Sequence, residues 1–348
     1  MFHTKSLLNR YTTPDLLKGL AVLFMIQVHS LHLFTSVTFQ ESIFAKVIFF
    51  FGGPAAAPVF LAIMGYFLGA SNKTIFQKLK RGLDLIALGF LLNLFLNLNL
   101  FIKIFLKQSD ANPLNYLLGV DIFFVAGISI ILISLLQKLF KDRFYLYLIA
   151  ALLFALAGHL FPNFPIKLQY LQAFIYGEFS WSYFPIFPWV SYSLLGTGFF
   201  FIFAKIRDKF TNPLIKNIVF SILSVIVIVF LPNVINISSI LSEYYHHTLL
   251  FFLWNAAFLS WWLMLCNYID NLSQRSSVLN YIRWTGKNVT IIYIVQWIVI
   301  GNLATSFYRQ FEFWGWLTGF IIALSISTLV AYLWEKYFSE KKKSAINY

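Results

Sequence analysis

Polar and apolar positions along this chain are segregated on the scale of a bilayer rather than of a globular core. Ten runs of about 20 mostly apolar residues are parted by connections that hold most of the charge. Each run is long enough to cross a hydrocarbon layer of ~30 Å as an α-helix rising 1.5 Å per residue. The predicted spans are 14–34, 54–71, 76–98, 116–136, 144–160, 184–203, 217–234, 248–268, 284–303 and 314–334. A shorter run, 43–51, ends at Gly52-Gly53-Pro54; it reads either as a re-entrant or interfacial piece or as a kinked extension of the second span. Thr13 as N-cap, Pro14 at the first helical position and Asp15 in the first turn mark the start of the first helix. That run sits behind Thr12-Thr13-Pro14-Asp15 and is too long for the apolar region of a cleavable signal, so none is expected.

Composition agrees with the pattern. The 348 residues are 59% apolar and only 11% charged, too little charge to clothe a soluble domain of this length. A single cysteine, Cys266, excludes an intrachain disulfide framework or thiolate cluster, and it reads as inert packing. The net charge of +13 raises the question of nucleic acid until the basic residues are sorted by connection. With the N-terminus inside, 21 of the 26 fall on the cytoplasmic side, and only Lys46, Lys103, Lys107, Lys167 and Arg309 fall outside. The excess is topological, and no nucleic-acid partner is expected. The expected fold is therefore all-α: a polytopic integral membrane bundle of about ten transmembrane helices with both termini cytoplasmic. It forms one domain over 1–348, with a basic tail at 337–348 that includes Lys341-Lys342-Lys343. No internal repeat is visible, and the longest hydrophilic connection, 161–183, lies on the outer side.

Ionisable residues inside spans are costly and therefore candidates for function. Lys18 and His29 stand eleven positions apart on the first helix, close to three full turns, so they share a face about 16 Å apart. His29 is the group whose ordinary proton affinity suits general-base chemistry near neutral pH; it could equally accept an acyl group itself. His32, one turn further out, reads as interfacial, and Asp15 as a helix-start residue. Asp84 is expected to pair with Lys80 or Arg81 one turn away. Asp121, expected inside the fourth span, has to be protonated, paired or functional, with no partner identifiable. Glu243, His246 and His247 read as solvated loop on an outer connection. No metal site is expected.

The set Asp15, Lys18 and His29 resembles the first helix of the membrane acyltransferases of acyltransferase family 3, in which a basic residue precedes a histidine by eleven positions. The stretch from Pro58 through Met64-Gly65-Tyr66 to Gly69 is similar to a second motif of that family, with Met64 in place of serine. Lys78-Leu79-Lys80-Arg81 looks like its basic start of the third helix. Tyr183-Phe184-Pro185-Ile186-Phe187-Pro188-Trp189 resembles the bacterial branch related to heparan-alpha-glucosaminide N-acetyltransferase. Gly286-Lys287-Asn288 with Tyr293 and Gln296 resembles a late stretch shared by both branches, with Gln296 in place of histidine.

The resemblance implies transfer of an acyl group, usually acetyl, from cytoplasmic acyl-CoA to an acceptor reached from the outer side. That acceptor is a glycan or a small molecule, and the enzyme is expected in the bacterial plasma membrane. Extended pantetheine spans roughly 16 Å, so phosphates held near Lys18, Lys80 and Arg81 would place the thioester beside His29. Asp15, Asp121, Tyr66 and Asn288 are candidates for supporting roles. The competing reading is a proton-coupled transporter or flippase using His29, Asp84 and Asp121 as a relay; the missing internal repeat stands against it.

Overall fold

The computed structural model describes residues 12–160, 168–207, 212–272 and 276–346, apart from the side chains of 159 and 339–346. Lys5, Arg10, Lys167, Lys209 and Arg275, all sorted by connection in the sequence, lie outside the described residues, as does part of the 161–183 connection. Among those described, the chain is helical and forms no β-strand.

Helix α1 (Thr13–Phe34) is the axis of the bundle. Its apolar side chains are buried on every side, from Leu16 and Leu17 through Val22 and Ile26 to Leu31 and Phe34. The short α2 (Val37–Gln40) leads into α3 (Ile43–Gly52) and α4 (Ala57–Gly69). These last two form one apolar stretch of 27 residues broken at Gly53, so the short run before Pro54 extends the second span. Helix α5 (Ile75–Leu96) opens on a capping box in which Thr74 and Gln77 satisfy each other's backbone N–H groups. It is bent by 58° against α6 (Leu98–Phe105), which splits the predicted third span near its end.

The short α7 (Pro113–Leu117) precedes α8 (Ile122–Phe140), which begins six residues later than the fourth span was placed because Asp121 caps it. After them come α9 (Phe144–Leu160), α10 (Gln169–Ile175), α11 (Ile186–Ile206) and α12 (Pro213–Ser239). Next are α13 (Leu241–Tyr245), α14 (Leu249–Leu272), α15 (Ser277–Lys287), α16 (Val289–Phe307) and α17 (Phe313–Ile346), the last running through the basic tail. The predicted ninth span is thus two helices, broken at Asn288.

Eight helices or joined helices are long and apolar enough to cross a membrane, nine if α5 and α6 count as one; α9 is apolar but shorter. Every one of the ten predicted spans coincides with one of these. The described chain is a multi-pass helical membrane bundle.

Around α1 pack α3, α4, α14, α15, α16 and α17. Two glycines set the closest approach: a Cβ on Gly19 would overlap the carbonyl oxygen of Ile282, and one on Gly286 would overlap that of Asp15. Without a solvent that drives apolar helices together, such backbone proximity is how membrane helices gain packing energy. It fixes the register of α1 against α15. Among the described residues, most lysines and arginines fall on the connections at one end of the bundle, its basic end; the opposite end is the far end.

Candidate functional site

Helices α1 and α16 run side by side in the same direction, with Gly286 beside Asp15 at the basic end and Arg309 beside Leu33 at the far end. Between those points α16 presents Tyr293, Gln296 and Trp297, whose i, i+3, i+4 spacing puts them on one face. His29 meets that face. Its Nδ1 lies 3.2 Å from the amide oxygen Oε1 of Gln296, and its ring stacks on Trp297 with centroids 3.9 Å apart. An amide oxygen only accepts, so Nδ1 carries the proton and Nε2 keeps its lone pair. That Nε2 has no hydrogen-bond partner among the described residues, and the His29 side chain keeps part of its surface open. An oriented, partly accessible imidazole with a free basic nitrogen can take a proton or form a bond.

Gln296 is fully buried, and its Nε2 donor finds no partner among the described residues, whereas the Trp297 indole lies within reach of the Tyr293 hydroxyl. From sequence, Gln296 registered only as a departure from a family histidine. The signal that could have found it is its place on the Tyr293 face, one turn along the helix.

Asp121 is not a residue of the membrane interior of α8 but its cap. Its Oδ1 accepts the Phe123 N–H at 2.9 Å, and its Oδ2 accepts the Tyr293 hydroxyl at 2.8 Å. The partner that sequence could not supply lies 172 positions away. Asp121 therefore ties α8 to the α16 face that holds His29.

At the basic end Lys18 pairs with Asp15 at 2.9 Å; Asp15 is buried and Lys18 partly exposed. Asp15 is thus the lysine's partner as well as a helix-start residue. The hydroxyls of Thr12 and Thr13 do not cap the helix but donate to Asp270 at 2.6 and 3.0 Å. Arg283, one of the basic residues assigned to the cytoplasmic side, is buried and donates through Nε to the same Asp270 at 2.7 Å. The group bolts the start of α1 to α14 and α15.

Lys80 and Arg81 are exposed on α5, which packs chiefly on α8 and α16. No ion pair joins Asp84 to either of them, against expectation, because all three side chains extend into open space where pairing gains little. The buried cation of this motif is Lys78, whose Nζ donates to Gln137 Oε1 at 2.8 Å.

Tyr66 packs among Phe67, Phe199 and Phe200. Asn288 donates to the Trp284 carbonyl and to Glu335, both at 3.2 Å, holding the α15–α16 break against α17. Neither is brought to His29.

His247 overturns its reading as solvated loop. It is buried, with Nδ1 on the Tyr244 carbonyl at 2.8 Å and Nε2 2.9 Å from the Tyr192 hydroxyl, which also receives Asn255 Nδ2 at 3.2 Å. A carbonyl only accepts, so the chain runs from Asn255 through Tyr192 and His247 to Tyr244, every donor assigned. Distant α11, together with α14 just downstream, supplies the burial that the histidine pair alone does not predict. Among the described residues no group of three or more His, Cys, Asp or Glu is placed to hold a metal.

Residues 11–334 match the family model described as an acyltransferase domain, acyltransferase family 3. The chain belongs to this family. The match runs from the start of α1 into α17 and so takes in every helix that frames His29. No curated protein sequence matches the chain. As a family member with this helical bundle, it is a multi-pass membrane protein of the acyltransferase class.

Proposed function

We propose that this acyltransferase uses His29 to move an acyl group, acetyl in the first instance, from acyl-CoA to a hydroxyl or amine of a glycan or small-molecule acceptor. The observation that carries the proposal is the His29–Gln296–Trp297 arrangement, which leaves Nε2 basic, oriented and unpartnered. Acyl-CoA supplies an activated thioester. His29 Nε2 takes the proton of the acceptor O–H or N–H as that atom bonds to the acyl carbon. When the carbon–sulfur bond breaks, the imidazolium returns the proton to the departing thiolate.

Gln296 steadies the ring through Nδ1, and its hydrogen bond strengthens as the ring takes on charge. The buried, unpartnered Nε2–H of Gln296 is a donor for the negative charge that develops on the acyl oxygen. Direct transfer and an acyl-histidine intermediate both use Nε2.

Lys18 stands about 16 Å from His29 on the same helix face, the reach of extended pantetheine, and can take a donor phosphate while Asp15 holds it in place. Exposed Lys80 and Arg81 offer further phosphate contacts. With the basic end in the cytoplasm of a bacterial plasma membrane, donor and acceptor arrive from opposite sides.

Thiol release from acetyl-CoA by detergent-purified protein tests this reading. His29→Ala should abolish release while acetyl-CoA still stabilises the fold, and Lys18→Ala should raise the donor KM more than it lowers kcat. Undiminished release by His29→Ala would remove the assignment. Solute uptake into vesicles free of acyl-CoA would favour transport instead.

A further inference from the structure

One helical turn beyond His29, at the far end, a second polar group lies outside the transfer chemistry. His32 follows His29 by three positions and so faces the same side of α1, about 4.5 Å further along the axis. The segment after α16 is strapped along this end of α1: Arg309 N–H donates to the Leu33 carbonyl and Phe311 N–H to the Phe34 carbonyl, both at 2.9 Å, and Ser36 N–H returns to Phe311 at 2.8 Å. The strap sets Arg309 beside His32, within electrostatic reach of its ring, and His32 stands in the same relation to His29.

The two side chains are polar and partly exposed, and each keeps one nitrogen without a partner, although the Gln40 side chain also reaches the His32 ring. Nε of Arg309 and Nδ1 of His32 are each buried without a hydrogen-bond partner among the described residues. Nor does Arg309 make an ion pair with any of them; its guanidinium lies 5.0 Å from the Tyr308 ring centroid. The carboxylate nearest in sequence, Glu312, accepts from Ser36 Oγ at 2.7 Å instead. Arg309 also occupies a left-handed backbone conformation, φ 55°, which glycine would adopt with less strain. Chain orientation does not call for this cation, since Arg309 is one of the few basic residues expected on the outer side.

We propose that Arg309 and His32 form an oxyanion-binding subsite for the acceptor. It takes a carboxylate or phosphate carried a few bonds from the hydroxyl or amine that reaches His29. Guanidinium presents paired donors that match the oxygens of either group, and His32 adds a donor when its proton is on Nδ1. The distance of about one helical turn between His32 and His29 suits an acidic sugar, whose carboxylate or phosphate and reacting hydroxyl sit on one ring. The identity of the bound group as acceptor rests on the transfer reading of His29; its binding does not.

The test is therefore made first without donor. Full-length protein in detergent is titrated by calorimetry with glucuronate, glucose 6-phosphate and glucose. The expected result is binding of the two anionic sugars and at least tenfold weaker binding of glucose. Arg309→Gly, which suits the backbone, and His32→Gln should each weaken the anionic sugars about tenfold or more, with the melting temperature held. Arg309→Lys should retain part of the affinity.

Equal binding of glucose and glucuronate, or anion binding untouched in Arg309→Gly, would overturn the subsite. Phosphatidylglycerol added to the micelle separates the sources: competition with glucuronate would give the subsite to a lipid phosphodiester and overturn the acceptor assignment. Thiol release from acetyl-CoA is then measured with each sugar. Anion binding that depends on Arg309 in a protein that never releases thiol would defeat the transfer reading and leave the subsite standing. Normal release without anion preference would do the reverse.

Discussion

At the scale of single residues, His29 was legible and its partners were not. Eleven positions from Lys18 place it on a known face of a known helix, and its intramembrane cost marks it out. The hydrogen bond that decides which nitrogen is basic comes from Gln296, 267 positions away, and no local pattern encodes it. Replacing Gln296 by leucine keeps bulk and apolar packing but strips Nδ1–H of its acceptor, so the ring loses both its fixed tautomer and its fixed orientation. Gln296→Leu should lower kcat by about 10- to 100-fold, the range of a weakened general base, with the donor KM little changed. Steady-state kinetics over a range of acetyl-CoA concentrations would show the split. A variant with unaltered kcat would leave Gln296 as packing alone.

At the scale of elements, apolar run length located the helices because nothing else in a bilayer satisfies the backbone. Their ends needed chemistry that run length ignores. Asp121 followed by Ile122-Phe123-Phe124 is a capping signal, and reading it so would have started α8 correctly. The connection between α13 and α14 shows the opposite failure. Two adjacent histidines look like loop, yet His247 is enclosed by Phe251 of the helix that follows and by Trp189 and Tyr192 of α11, which only the fold brings there. Burial holds its imidazole neutral, with the pKa pushed down to about 4, and partly buried His246 beside it is lowered for the same reason.

Because the unfolded chain takes up the proton near 6.5 and the folded one only near 4, the unfolded state binds more protons between those values. Stability is full above about pH 6.5 and falls as the pH drops toward about 4. The melting temperature of purified protein should decline through that window. His247→Gln, which keeps a polar group without the titration, should decline less. An identical pH dependence in both would show that this element is not the one that titrates.

At the scale of the whole molecule, the distribution of charge is a statement about orientation, and it can be checked apart from any activity. Lysine and arginine flank the spans mostly at one end, and the positive-inside rule predicts that this end faces the cytoplasm. The sole cysteine, Cys266, is fully buried, so it provides a silent background for labelling. Gln108 is exposed between α6 and α7 at the far end, and Asp142 is exposed between α8 and α9 at the basic end. In intact cells a membrane-impermeant maleimide should label Gln108→Cys directly and should reach Asp142→Cys only after permeabilisation. The reverse pattern would turn the bundle over. Lys18 would then face outward, away from any cytoplasmic acyl donor, and the proposed route from the basic end to His29 would fail with the orientation.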